Sequence, residues 1–181
     1  MSRLLEDECS FETERLIISS YFDFVKSQAD EKTLANRVIS IMTPKVTESL
    51  PAGWQNLHTD IDANNWINEV SRESNLLLVQ LKRTKEIVGF IFLYESATSK
   101  APMDLRLGYL LSEDSWGHGM GSELIKGLLT WCGSTGKVNT ITGGVEHDNI
   151  ASIKVLKKNG FNQAGSNNEG TLFYVYDFCQ Q

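Results

Sequence analysis

Three glycines at alternate positions, Gly117, Gly119 and Gly121, stand between an apolar run and an amphipathic one in the stretch LRLGYLLSEDSWGHGMGS, residues 105–122. A helix that opens on such a run leaves its first N–H groups without intrahelical acceptors, and glycine keeps side chains from crowding them. Those amides, with the positive end of the helix dipole, make a seat for a phosphate or another anion. A flexible turn in front of a helix would show the same spacing, so on spacing alone both readings stand.

The flanks say which elements must position that turn. Leu124, Ile125, Leu128, Leu129 and Cys132 recur at helical spacing, with Glu123, Lys126 and Thr130 off the stripe, and this helix is expected to end near Gly133 to Gly136. A strand is predicted from Val138 to Val145. A second helix then starts at Asn149, a favoured N-cap, with Ile150, Ile153 and Leu156 inward and Lys154, Lys157 and Lys158 outward. Gly160 ends it and Phe161 packs back. The succession is strand, glycine turn, helix, strand, Asn-capped helix, Gly-Phe, strand.

These residues resemble the GNAT family of N-acetyltransferases. Trp116-Gly117-His118-Gly119-Met120-Gly121 is similar to the family's pyrophosphate-binding motif, and the segment from Asn149-Ile150-Ala151-Ser152 to Lys158-Asn159-Gly160-Phe161 is similar to its downstream motif beside the pantetheine arm. Phe11-Glu12-Thr13-Glu14-Arg15-Leu16 resembles the opening strand of the branch that includes the N-terminal alanine acetyltransferases of ribosomal proteins. The likeness runs from about Phe11 to Phe178. Trp116 departs from the Gln or Arg that much of the family carries there, but tryptophan is frequent in that branch.

The rest of the chain is compatible with one domain spanning residues 1–181. At 181 residues and 41% hydrophobic content it can bury a sizeable single core. No apolar run is long enough to span a bilayer, because Leu76 to Leu81 and Ile87 to Tyr94 are strand-sized and split by the charged turn Lys82 to Glu86. The opening MSRLLEDECS is acidic and lacks the apolar core of a signal peptide, so a cytoplasmic location and no membrane partner are expected. A net charge of −6 speaks against a nucleic-acid surface and suits a cationic acceptor. Cys9, Cys132 and Cys179 lack paired spacing and read as reduced, structural thiols; His58, His118 and His147 match no metal-ligand spacing, so no metal is expected.

Further elements are predicted as follows. Phe11 to Ser19 is a first strand, Glu31 to Met42 a helix closed by Pro44, and Thr47 to Gln55 a turn. Thr59 or Asp60 starts a helix carrying Ile61, Trp66, Ile67 and Val70. Leu76 to Lys82, Glu86 to Tyr94 and Asp104 to Leu111 form antiparallel strands, and Thr171 to Cys179 is the last strand after a polar loop, Gly165 to Gly170. This gives an α/β (α+β) pattern, a mixed sheet with helices on both faces. The resemblance sharpens it to the acetyltransferase fold, with about six or seven mostly antiparallel strands and a splayed central pair.

The resemblance also implies a chemistry. Acetyl-coenzyme A would lie between the splayed strands, its pantetheine amides bonded by main-chain groups near Leu110, Leu111 and Ser112, and its pyrophosphate held by the N–H groups from Gly117 through His118, Gly119, Met120 and Gly121 to Ser122. Asn149 would reach the pantetheine side. Ser152, one helical turn on, could approach the thioester sulfur, or serve only as a polar residue in the first turn of a capped helix. An amine would attack the acetyl carbonyl directly, and holding both reactants in one cleft can supply roughly 7–11 kcal/mol of the barrier.

The family's acid and base do not carry over. The catalytic glutamate of the branch's better-understood relatives falls at Gly144, the general-acid tyrosine at Leu156, and the glutamate two residues before the Gly-Tyr pair at Arg106. Strand alternation puts Thr140, Thr142, Gly144 and Glu146 on one face, where Glu146 is the only carboxylate, so Glu146 could take over as base through a water, or be a solvated strand-end carboxylate. Glu95 and Asp114 are lesser candidates, Tyr109 is expected to pack, and His118 to be structural. The acceptor pocket would be built by about Phe22 to Trp66 and by Gly165 to Gly170. Ile39 to Trp54 resembles the matching segment of the same branch, which favours a peptide α-amine or a small amine, and a homodimer would be common for the family. A domain that binds acetyl-coenzyme A or coenzyme A without turnover, as a sensor or assembly module, is the other reading; nucleotide-hydrolase and dinucleotide-dehydrogenase glycine patterns are not met.

Overall fold

The computed structural model describes residues 5, 9–27, 31–96 and 101–179; most of the acidic N-terminal decapeptide therefore lies outside the described residues. Strands β1 (Phe11–Glu12), β2 (Leu16–Ser20), β3 (Asn75–Leu81), β4 (Ile87–Glu95), β5 (Met103–Leu111), β6 (Val138–Glu146), β7 (Asn162–Ser166) and β8 (Thr171–Asp177) form one sheet in the order β1-β2-β3-β4-β5-β6-β8-β7. The eight strands exceed the six or seven expected. Among the described residues, only β5 and β6 run parallel and the other pairs are antiparallel.

Helices cover both faces. On one side, α5 (Met120–Thr135) and α6 (Ile150–Lys158) bury Leu124, Ile125, Leu128 and Leu156 against Leu77, Ile91, Leu107 and Ile141. On the other, α2 (Glu31–Ile41) and α4 (Asp60–Glu73) bury Val38, Trp66, Ile67 and Val70 against Leu78, Phe90, Phe92 and Leu110. Strand alternation distributes these side chains, and each fully buried Leu or Ile contributes roughly 1.5–3 kcal/mol. Thr59 closes the N-terminus of α4 with a capping box shared with Asp62, as its sequence position suggests.

Several expectations change. Phe11 to Ser19 is not one strand: Thr13 Oγ1 accepts the Leu16 N–H at 3.1 Å, and this turn folds β1 back antiparallel onto β2. Tyr21–Lys26 is a short helix, α1, capped by the Ser20 hydroxyl. Pro44 does more than follow α2, because it occupies the first turn of α3 (Pro44–Thr47), where its missing N–H costs nothing and Thr43 is the N-cap. Thr47 thus belongs to a helix, and Ala52–Trp54 adds a 3-10 turn. Gly165 and Ser166 belong to β7, which the low hydrophobicity of Asn162–Ser166 concealed, and β8 ends at Asp177 rather than at Cys179.

Candidate functional site

The cleft begins where β5 and β6 separate. Their register ends at Leu107 opposite Gly143; beyond it, Gly108 to Leu111 remain paired with β4, and Gly144 to Glu146 with β8. Each strand therefore keeps one bonded edge and turns the other toward a cavity of about 1010 Å3. Leu110, Leu111, Gly117, Gly119, Met120, Gly121, Ser122, Glu146, Asn149 and Ser152 all line it. Ser112 and His118 are not in its wall.

The glycine turn forms as its residue types require. Gly117 and Gly119 adopt φ of 74° and 76°, in the left-handed region that disfavours side chains, and Gly119 caps α5 with no side-chain hydrogen bond. The first helical bond runs from the Glu123 N–H to the Gly119 carbonyl, so the amides of Met120, Gly121 and Ser122 precede the hydrogen-bonded ladder. A Cβ on Gly121 would lie 3.4 Å from Val155 of α6, so glycine here also lets the two helices approach.

Side chains clamp the turn from both flanks. Arg15 reaches across from the N-terminal strands, its Nε 2.7 Å from Glu123 Oε2 and its Nη1 donating to the His118 carbonyl at 3.0 Å. Burial pushes the Glu123 carboxyl up, but bonds from the Thr13 hydroxyl and from the Arg15 N–H and guanidinium outweigh it and hold the group below the usual carboxylate range. On the other flank the Trp116 indole donates to the Leu111 carbonyl at 2.9 Å, while the Lys45 ammonium sits 5.3 Å from the Trp116 ring centroid. Glu113, bonded by the Thr43 hydroxyl, ties the start of α3 to the same turn.

Ser112 has its main chain already engaged: the N–H donates to the Val88 carbonyl at 2.7 Å and the carbonyl accepts from Ser115. Its hydroxyl shares a hydrogen bond with Ser115. This removes the Ser112 N–H from the strand-edge donors, and Leu110, opposite Phe90 and two residues before Ser112, turns its main chain to the same β4 side, so of the three expected residues only Leu111 faces the gap.

Asn149 caps α6, its side chain accepting the Ser152 N–H at 3.1 Å. Tyr109 does pack against the core, yet its hydroxyl also donates to Ser152 Oγ at 3.2 Å. Burial pushes the Tyr109 phenol above the ordinary tyrosine range, with the Ser152 bond pulling the other way. Glu146 accepts the Thr171 hydroxyl at 2.9 Å across the β6–β8 pair. Gly144 is exposed, and Leu156 is buried against Gly143, so neither supplies a proton-transfer group.

Other candidates lie elsewhere. Glu95 accepts the Leu5 N–H and the Asn75 amide, Asp114 is exposed in the turn before Trp116, and His147 lies against Gly170. Cys9 and Cys132 are buried, which pushes the Cys132 thiol up to about 12 and raises Cys9 further, while Cys179 is exposed. Sequence reasoning missed Asp148 in the cleft wall and the Tyr109–Ser152 contact, whereas Glu48 and Lys45 fall in the segment expected to build the acceptor pocket. Of these, the position of Asp148 just before the Asn149 cap was a usable signal; Glu48 and Lys45 lie in a segment with no helical or strand period.

A family model described as an acetyltransferase (GNAT) domain matches residues 27–162. An uncharacterized N-acetyltransferase p20 from Bacillus licheniformis is 29% identical over 126 residues, covering 65% of this chain and 68% of that protein. The fold is similar to that of RimL, a ribosomal L7/L12 alpha-N-protein acetyltransferase solved with coenzyme A, with a TM-score of 0.71 at 17% identity over 91% of this chain and 95% of that one. It is also similar to AAC(6')-Ib solved with ribostamycin and coenzyme A, with a TM-score of 0.66 at 16% identity over 91% and 94% of the two chains.

Proposed function

The chain belongs to the GNAT family of acetyltransferases, whose acyl donor is acetyl-coenzyme A, and from that premise we propose that it transfers the acetyl group to a primary amine, on a peptide N-terminus or a small molecule. The observation that carries the reading is the meeting, in one cleft, of a strand edge left without its parallel partner and a helix N-terminus left without a side-chain cap. An unpaired edge bonds an amide-bearing arm as a further strand would, and helix amides bind pyrophosphate. Leu111 would take the first role, and the amides from Gly117 to Ser122 the second.

The amine nitrogen attacks the acetyl carbon, a C–N bond forms, and the C–S bond breaks with its electron pair on sulfur. Glu146 would take the nitrogen's proton through a water, with Thr171 fixing one of its oxygens. An alkyl amine with a pKa of about 10 arrives charged, whereas a peptide α-amine near about 8 is less penalised, so the base matters more for the first class. Glu48, Glu146 and Asp148 in the cleft wall favour a cationic acceptor. RimL is named for a protein α-amine and AAC(6')-Ib was solved with ribostamycin, so both classes stay within the proposal.

Thiol release from acetyl-coenzyme A, assayed with a panel of peptides, polyamines and aminoglycosides, tests the reading. Amine-dependent release supports it. Binding of acetyl-coenzyme A with no release by any amine would favour a protein that holds the thioester without turning it over.

A further inference from the structure

Tyr109 stands two residues beyond Leu107, the last β5 residue in register with β6, and shares its strand face with Leu105, Leu107 and Leu111. That face looks toward α6, where Ser152 occupies the first turn. Both side chains are half-buried, both line the cleft, and the Tyr109 hydroxyl donates to Ser152 Oγ at 3.2 Å. The Ser152 N–H is meanwhile bonded to Asn149 Oδ1, which fixes the backbone that carries the hydroxyl.

Several other helical hydroxyls turn back on their own helix: Ser40 donates to the Arg37 carbonyl, Thr47 to Thr43, Thr130 to Lys126, and Ser134 to Trp131. Ser152 differs, because its oxygen is engaged across the gap by a strand residue. A serine hydroxyl has one proton and two lone pairs, so accepting from Tyr109 fills one acceptor position and limits the directions left to the proton.

We propose that Tyr109 is a positioning residue: by donating to Ser152 Oγ it aims the Ser152 proton into the cleft, where it stabilises the thiolate that leaves as the amide forms. The inference deepens the transferase reading and rests on it. In the step itself, nitrogen bonds to the acetyl carbon and the C–S pair goes to sulfur. The nitrogen's proton goes to Glu146 through water, and Ser152 keeps its own proton, donating a hydrogen bond to sulfur. Such a bond is weak to the neutral thioester and strong to the charged leaving group, so it acts mainly on the transition state. A phenol that remains protonated across the neutral range serves this role, because a tyrosinate would accept the serine proton and turn it away from sulfur.

The test is a double-mutant cycle with Tyr109→Phe, Ser152→Ala and the pair, using acetyl-coenzyme A and an amine that the unaltered protein acetylates. Tyr109→Phe is expected to lower kcat about fivefold to tenfold, with KM for acetyl-coenzyme A and the thermal midpoint unchanged. The pair is expected to match Ser152→Ala within about twofold, because Tyr109 acts only through Ser152. Ser152→Thr, which keeps the hydroxyl, should retain the sensitivity to Tyr109→Phe. An unchanged kcat in Tyr109→Phe, or losses that multiply in the pair, would overturn the assignment. If the unaltered protein binds acetyl-coenzyme A but no amine releases thiol, the transfer reading itself fails, and the alignment role goes with it.

Discussion

Leu107 faces Gly143 as the last pair in register between the parallel strands β5 and β6, and one residue later the strands have parted. The gap is held open by the antiparallel ladders on its two flanks, β4 against Gly108 to Leu111 and β8 against Gly144 to Glu146. Those ladders fix the path of each strand on the outer side of the gap. The cleft is thus a property of the sheet, and the glycine turn and the α6 cap lie at its mouth.

The β4 flank can be disturbed at a single residue. A Cβ on Gly89 would run into the Leu110 carbonyl oxygen and lie 2.7 Å from Leu111 Cδ2, so Gly89→Ala must push the strand edge toward the cleft. We expect a loss of about 2–3 kcal/mol in urea unfolding, together with weaker acetyl-coenzyme A binding. Unaltered stability would mean that this edge is not fixed by β4.

Loss of the carboxylate at Glu146 should depend on pH. At pH 6.5 an amine acceptor is mostly protonated and needs a base, whereas at pH 9 solvent has removed much of that proton already. Glu146→Ala is therefore expected to lower turnover by about tenfold or more at the lower pH and by less at the higher. Equal losses in the two steady-state assays would remove Glu146 from the role of base.

Glu123 links the N-terminal strands to the first turn of α5, and its acidity predicts the sign of a stability effect. Its carboxyl is held below its ordinary value of 4.5 in the folded protein, so the ionised form stabilises the fold at pH above that value. The contribution fades as pH falls through the folded value. Glu123→Gln should cost about 1–2 kcal/mol at pH 7, where the half-exposed Arg15 limits the gain from pairing. The two unfolding curves should converge once pH has fallen below the folded carboxyl's lowered value. A pH-independent difference would assign the effect to packing.

What the sequence disclosed depended on period and on local chemistry. The stripe through Leu124, Leu128 and Cys132, the three antiparallel strands from Asn75 to Leu111 and the Asn149 cap were legible, because each is encoded within a few neighbouring residues. β7 was not, since Asn162–Ser166 is exposed throughout and its pairing with β8 leaves no hydrophobic period. Pro44 marks a stop for the helix before it, but proline also opens helices, and only Thr43 ahead of it points to the second role. Contacts between distant residues stayed hidden: Arg15 with Glu123, Ser112 with Val88, and Tyr109 with Ser152 each join segments that the topology, not the spacing, brings together. Gly144 and Leu156 marked where the family's usual acid and base are missing, but not which residues stand nearby.

The most direct measurement is calorimetric binding of acetyl-coenzyme A and coenzyme A to the unaltered protein and to Gly119→Ala and Gly119→Trp. Both substitutions meet the same left-handed backbone at φ 76°, so they share its strain; a Cβ there has Arg15 Nη2 at 3.8 Å as its neighbour, and the indole adds the bulk expected to block the α5 amides. We predict micromolar binding to the unaltered protein, a loss of no more than about tenfold in the alanine variant, and no detectable binding in the tryptophan variant, with similar thermal midpoints for the two. Absence of binding to the unaltered protein, or full binding by Gly119→Trp, would contradict the cleft as the seat of the acyl donor.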